Sequence, residues 1–340
     1  MGHGDTPRDN GSRDEEAGAS EPGGGASTSR AAGADEAGAP LAAPTSSRRR
    51  ELLSALLANR LAAVGLVVLG LVLVAAITGE LLAPRSPTAI PSDLAERQFL
   101  PPSVEHPFGT DNQGRDVLSR VIAGARVSIV GAVTSVAFAL ITGVSIGLVA
   151  GFYGRRVDDL LMRLTDVLFS FPPILLALAI LAILRPLGLS TEAAVVAIGV
   201  AFAPIFARIT RGSVLSVRET VYVRAARSIG AGGGRIIRRH ILPNVLAPII
   251  VQTSLSLAFA ILIEAALSFL GLGVPPPTPA WGRMLSEGRE FLTQGWWIAF
   301  FPGMAIFLTV LAFNVVGDAL RDALDPKQRS AIEARGRDAG

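Results

Sequence analysis

The densest set of reactive residue types in this chain is YVRAARSIGAGGGRIIRRHILPN, residues 222–244, with five arginines, a histidine, a tyrosine and a run of glycines. Glycines beside cationic side chains can cradle phosphate, but a P-loop needs a preceding strand and a Gly-Lys-Ser/Thr ending. The sole lysine, Lys327, stands between Pro326 and Gln328, so this chain has no P-loop with which to bind ATP. His106, Asp111, Arg115 and Asp116 have the types of a proton relay, without a nucleophile spaced to use it. Their pattern favours a polar network that fixes a loop. Glu264 is the one carboxylate inside an apolar stretch, where an ionisable group is costly and by default functional. Its place near the outer end of a helix leaves snorkelling, or a bond to a neighbouring helix, as the structural alternative. The absence of cysteine excludes disulfides, thiolate catalysis and Cys-ligated metal. Three histidines (His3, His106, His240) are too few and too scattered for a His-built metal centre. No catalytic residue, metal or cofactor is therefore expected.

The elements that position these residues are membrane spans. Of the 340 residues, 50% are hydrophobic and 17% charged, with mean hydropathy +0.48; soluble domains carry about 25% charge. Six apolar segments, each near the ~20 residues that cross a bilayer, fall at 61–79, 127–151, 166–184, 193–209, 245–267 and 296–317. The expected fold is an all-α polytopic membrane protein. With the N-terminus inside, and counting from Arg48, twenty Lys and Arg residues lie in inner segments and eight in outer ones, so the positive-inside rule puts both termini in the cytoplasm. Trp281, Trp296 and Trp297 fall at the outer ends of the last two spans, where indoles favour headgroups. The arginines flank spans, so nucleic acid is not expected as a partner despite the basic balance; lipid is.

Residues 1–47 are rich in Gly, Ala, Ser and acids and cannot bury a core; they lack the apolar region of a signal peptide. They read as a disordered cytoplasmic tail. Residues 48–126 hold the first span and a long, Pro-rich extracytoplasmic loop, 127–317 the remaining spans, and 318–340 a cytoplasmic tail. Within the spans, Pro172, Pro173, Pro204, Pro248 and Pro302 can kink helices, and Gly131, Gly143, Gly147 and Gly151 permit close helix approach.

Between the fourth and fifth spans, residues 219–243 are patterned as a helix, a break and a second helix. From about 219, Tyr222, Ala226 and Ile229 share one helical face, with Arg218, Arg224 and Arg227 elsewhere. Gly230 and then Gly232 to Gly234 end the helix and let the chain turn. Ile236 and Ile237 begin a second short helix, and Pro243 marks its handover to the next span. Arg238, Arg239 and His240 face lipid phosphate or partner carboxylates. A plain positive-inside loop would explain the arginines but not this order.

Ala225-Ala226, Gly230 and Ile241-Leu242-Pro243 resemble the EAA loop of the permease subunits of bacterial ABC importers. Three further stretches resemble the dipeptide and oligopeptide branch of that family: HPFGTDNQGRDVLSRVIAGARVSI (106–129), RLTDVLFSFPPILLAL (163–178) and EAALSFLGLGVPPPTPAWGRML (264–285). The resemblance covers roughly 50–325. It implies a type I importer permease bundle of six spans, paired with a similar second permease, two ABC ATPase subunits and an extracytoplasmic substrate-binding protein. It implies peptide as substrate, with nickel chelate, glutathione or another small solute as alternatives. The chain would not be an enzyme. The 219–243 element would seat in a groove of an ATPase through Tyr222, Arg224, Ala225, Ala226, Gly230, His240, Leu242 and Pro243. The leading Glu of the motif is Arg224 here, so shape and small residues must carry that docking. Glu264 would contact the pathway or hold structure. Two other classes stay in view: a passive channel, which would not co-purify with ATPases, and an intramembrane enzyme, for which no catalytic pair stands in a recognisable spacing.

Overall fold

The computed structural model describes residues 56–57, 59–187 and 191–324. The chain divides into Met1–Thr45 and Ser46–Gly340. The tail expected over 1–47, Arg48 to Arg50 and the end of the C-terminal tail lie outside the described residues. Among the described residues every regular element is helical, and the one isolated bridge pairs Thr110 with Asp116.

Helix α1, Arg60–Leu82, starts where Asn59 Oδ1 accepts from the N–H groups of Leu61 and Ala62 at 3.0 and 3.3 Å, offsetting two donors that a helix start leaves bare. Leu61, Val67, Leu71 and Ile77 along it are more than half exposed, as suits a helix bathed in lipid. A loop with the single turn α2, Leu94–Arg97, leads to α3, Val117–Tyr153. Asp116 caps α3 by accepting from the Ser119 N–H at 2.8 Å.

After Gly154 the chain enters α4, Arg155–Phe169, then turns through Ser170-Phe171-Pro172 into α5, Pro173–Leu184. The two axes differ by 93°. The third span expected at 166–184 is thus broken, with its first residues in α4 and the rest in α5. Pro172 and Pro173 donate no backbone hydrogen bond, and a proline pushes the residue before it out of helical geometry, so the apolar run breaks. Pro173 then opens α5, the position a helix tolerates best.

Helix α6, Thr191–Arg218, is followed by the joint (α7, Val221–Ser228; α8, Gly233–Ile236), then α9, Leu242–Phe269, the short α10, Trp281–Arg289, and α11, Trp297–Leu324. Among the described residues, five helices are long and apolar enough to cross a membrane, six if the bent α4–α5 pair is one span.

The most extensive pairing joins α3 to α6. Gly143, Gly147 and Gly151, one per turn of α3, lie against Ala203, Ala207 and Val214 of α6; a Cβ on Gly147 would meet Thr210 Cβ at 2.6 Å, and one on Gly151 would meet Val214 Cβ at 2.7 Å. The small residues read as helix-approach points have that use, except Gly131, which faces Glu264 instead. Helix α9 packs on α11, α3 and α6, and α1 packs on α3 and α11.

Two of the tryptophans depart from the sequence expectation. Trp281 and Trp297 are 2% and 7% exposed, and their indole N–H groups donate to the carbonyls of Val121 (2.8 Å) and Thr110 (3.0 Å). Only Trp296, about half exposed, remains placed to meet a headgroup layer. A buried indole needs an acceptor, and Val121 of α3 and Thr110 of the loop before it supply one each.

Candidate functional site: the basic joint

Helix α7 is rooted by Val223 and Ala226, which are buried, while its other residues stay exposed. The inward strip is therefore Val223–Ala226. Of the face expected to act together (Tyr222, Ala226 and Ile229), only Ala226 points inward. Tyr222 is 45% exposed, Ile229 85% and Val221 74%, and Ala225 is exposed beside them. The result is an apolar, small-residue outer face made by Val221, Tyr222, Ala225 and Ile229. Val221 and Val223 were missed in the sequence because β-branched apolar residues at a helix start carry no signal of which side will be covered.

The helix stops in a two-bond cap. The Gly230 N–H donates to the Arg227 carbonyl at 3.0 Å and the Ala231 N–H to the Ala226 carbonyl at 3.1 Å, the Schellman arrangement. Gly230 has φ +80°, and a Cβ there would meet nothing within 4 Å. Backbone conformation, not space, asks for glycine at this position.

The turn is shorter than the sequence implied. Gly232 caps α8, and Gly233 and Gly234 are its first residues. Gly233 allows contact with Phe152 near the end of α3, whose ring also lies 5.4 Å from the Arg227 guanidinium. The second helix does not hand over at a break. It runs on through a π turn, Ile237–Ile241, in which the Leu242 N–H donates to the Ile237 carbonyl, and so into α9. Pro243, in the first turn of α9, lacks a donor and favours such a widened turn. Asn244 Nδ2 donates to the His240 carbonyl at 2.6 Å.

Ile236, Ile241 and Val245 are buried, each contributing about 2 kcal/mol by burial where water is the alternative. They fix the joint to the bundle and turn Arg235, Arg238 and Arg239 outward around an open cavity of about 510 Å³. His240, half-buried, has its ring 6.4 Å from that of Tyr222. Arg224 and Pro243 are exposed and Leu242 half-buried.

Beside the joint, the bundle is held together by polar contacts the sequence did not advertise. Arg211 grips Asp158 with Nε and Nη2, both at 2.6 Å. Arg208 reaches Asp166 at 2.7 Å, and Arg218 Nη1 donates to the Gly151 carbonyl at 2.7 Å. Arginines counted only as topology markers thus tie α4 and the end of α3 to α6.

At the opposite end, His106, Asp111, Arg115 and Asp116 are all buried and form the network expected of them. His106 Nδ1 lies 2.9 Å from Asp116 Oδ1, and Arg115 Nε donates to Asp111 Oδ2 at 2.7 Å. Arg120 and Glu287 complete it: Arg120 Nη1 is 3.2 Å from Asp111 Oδ2 and its Nη2 2.9 Å from Glu287 Oε2.

Glu264 is 8% exposed, so it does not snorkel. Ser268, one turn along the same helix, donates to Oε1 at 2.8 Å, and the Ser128 hydroxyl of α3 lies beside the carboxylate, but Oε2 has no partner in hydrogen-bond geometry. The carboxylate lines a cavity of about 390 Å³ between α3, α6 and α9.

Residues 143–330 match the family model described as the binding-protein-dependent transport system inner membrane component, and 47–102 match the N-terminal TM domain of oligopeptide transport permease C. The dipeptide transport system permease protein DppC of Alkalihalophilus pseudofirmus is 48% identical over 282 residues, 83% of this chain and 90% of that protein. The glutathione transport system permease protein GsiD of Pectobacterium atrosepticum is 46% identical over 229 residues, 67% and 75% of the two chains. In three dimensions, a solved chain from the MetNI methionine ABC transporter superposes with TM-score 0.51 at 18% identity, covering 61% of this chain and 96% of that one. The likeness to that structure is one of fold. Over more than half its length this chain belongs to the family of binding-protein-dependent transport system inner membrane components.

Proposed function

We propose that the chain is one permease subunit of an ATP-binding cassette importer, carrying di- and oligopeptides inward across the plasma membrane with both termini cytoplasmic. As a transport-system membrane component it is not itself an enzyme. Without a P-loop, ATP binding and hydrolysis fall to two separate ATPase subunits. A second, similar permease completes the pathway, and an extracytoplasmic binding protein delivers the substrate. Six spans follow if the α4–α5 pair crosses as one bent unit. The peptide reading rests on the relatives' names, several of which specify dipeptide or peptide transport. Likeness to the glutathione permease favours that peptide-like solute as a second reading.

One observation carries the coupling role: the unpartnered apolar face of α7, Val221, Tyr222, Ala225 and Ile229, held on a helix rooted by Val223 and Ala226. A small, rigid, partly apolar helix face in a basic surround suits a hydrophobic groove with an acidic rim. Arg224 and Arg227 would meet the rim, and His240, Leu242 and Pro243 the base of the joint. Closure of the ATPases would then move α7, and its buried Val223 and Ala226, with Arg227 against Phe152 of α3, would pass that motion to the bundle. Such coupling requires that two bundle arrangements bind ATPase and substrate differently.

The test is Ile229→Asp. The side chain is exposed, so membrane insertion and helix packing stay intact, while burying a carboxylate in an apolar groove would cost at least about 2 kcal/mol of docking. ATPase subunits should be lost from the purified complex and uptake should fall about tenfold or more. Normal assembly and uptake would sink the docking role.

A further inference from the structure

The cavity above Glu264 has features that packing alone does not require. Its walls are apolar, from Val130, Val195, Ile198 and Leu267. Its volume of about 390 Å³ is in the range of small-molecule sites, which combine apolar walls with a few placed polar groups. On one wall stands Glu264, more than nine-tenths buried, with Oε2 unpartnered. A buried carboxylate oxygen without a donor is costly unless something supplies one. Gly131 opens the space beside it: a Cβ there would lie 3.6 Å from Glu264 Cγ.

Five residues earlier on the same helix, Arg126 also lines the cavity and is exposed. Among the described residues it makes no hydrogen bond or ion pair, in contrast with Arg85, whose Nη2 donates to Glu105 at 3.1 Å. Arg126, Val127 and Thr278 also line a second cavity of about 590 Å³, which reaches the loop residues Arg85 to Thr88. The two spaces therefore adjoin at Arg126 and lead from the loop end of the molecule to Glu264.

We infer that this cleft is a transit site for a small zwitterion: a free ammonium group hydrogen-bonds Glu264 Oε2, and a carboxylate meets Arg126. Arg126 stands five residues, about 7.5 Å of helix rise, before Gly131, the residue of α3 that lies against Glu264, and two extended residues of peptide span about 7 Å. Apolar side chains of the ligand would lie on the walls, where little polar contact exists to discriminate among them. A free carboxylate would be drawn to a guanidinium at the mouth, and an ammonium would satisfy the acceptor deeper in. The identification of the zwitterion as a di- or tripeptide rests on the proposed function; the charge arrangement does not.

The chain has no cysteine, so Thr134→Cys places a single thiol of this subunit in the cavity. Thr134 is exposed and lines the space. In the purified full complex without nucleotide, labelling of this thiol by a small reagent is followed on the separated chain while alanyl-alanine is added. The free dipeptide should protect, and its N-acetyl and C-amide forms should need about tenfold more or worse, the scale of one charge-assisted hydrogen bond. Glu264→Gln should remove the preference for a free amine over N-acetyl, and Arg126→Gln the preference for a free carboxylate over the amide. Arg126 is exposed, so its variant and the two blocked peptides keep the test open if Glu264→Gln fails to assemble. Equal protection by all three peptides, protection by none, or a thiol unreactive even without peptide (the cavity then being covered by the second permease) would overturn the site. Peptide uptake by the unaltered complex is measured alongside. Uptake without protection rejects the site alone. Protection without uptake keeps the site and rejects peptide import.

Discussion

At Gly230 the chain adopts φ +80° with open space where a Cβ would sit. Any other residue would pay about 1 kcal/mol or more for that left-handed geometry. The Schellman cap that aims α7 depends on it. Gly230→Val should therefore leave membrane insertion intact and lower transport per ATP hydrolysed, read by comparing uptake with ATPase activity in proteoliposomes. An unchanged ratio would show that the cap is dispensable. Arg120 is the opposite case, a side chain fixed by charge. At 1% exposure it sits between Asp111 and Glu287, and removing one member of a buried ion network costs about 3–5 kcal/mol. Arg120→Ala should lower the thermal midpoint of the detergent-solubilised protein well below that of a variant at half-exposed Arg97. Equal midpoints would mean that the network contributes nothing measurable. Its His106, Asp111, Arg115 and Asp116 were legible as a group because they stand within eleven residues. Glu287 was not, because only folding brings it to Arg120.

Among the elements, the α3–α6 pair makes the most extensive contact, and its glycines differ in kind. A Cβ on Gly147 would sit 2.6 Å from Thr210 Cβ and 3.0 Å from the Arg211 nitrogen, while one on Gly212 would meet nothing within 4 Å. Gly147→Ala should thus destabilise by at least about 1 kcal/mol through overpacking. Gly212→Ala, in a helix interior with room to spare, should be neutral or stabilising by up to about 1 kcal/mol. Thermal unfolding of both variants checks the contrast; a loss at Gly212 matching that at Gly147 would contradict the packing account. The fourfold spacing of Gly143, Gly147 and Gly151 was visible in the sequence. What it packed against was not, since several spans offer small residues. The bend after Phe169 was likewise half visible: the prolines were plain, but hydropathy averaged across them gave one span. Direction of chain is a backbone property that a running mean of apolarity does not contain.

For the whole molecule, the arginine asymmetry makes a topological prediction. A cysteine placed at 235 should resist an impermeant thiol reagent applied to intact cells, and one at 95 should react. The reverse pattern would invert the orientation and put the joint on the wrong side for an ATP-driven partner. Here the sequence speaks loudly, because the bias toward one side is set by membrane insertion and needs no tertiary contact. The outward-facing apolar surface of α1 makes the same point: Leu61, Val67, Leu71 and Ile77 are exposed in the isolated chain because their solvent is lipid or a neighbouring subunit.

Local composition and motif order by themselves determined that the chain is helical and membrane-bound, that it cannot bind ATP by a P-loop, and that residues 222–244 form a structured joint. Each follows from residue type, run length or near-neighbour spacing, which folding does not alter. The tertiary structure decided which face of the joint is free, exchanging the expected Tyr222–Ala226–Ile229 strip for Val221, Tyr222, Ala225 and Ile229. It also buried two tryptophans expected at the interface, and it set Glu264 and Arg126 on one cavity. Those outcomes depend on what lies opposite each side chain, and residues more than a hundred positions apart decide that only when the helices pack.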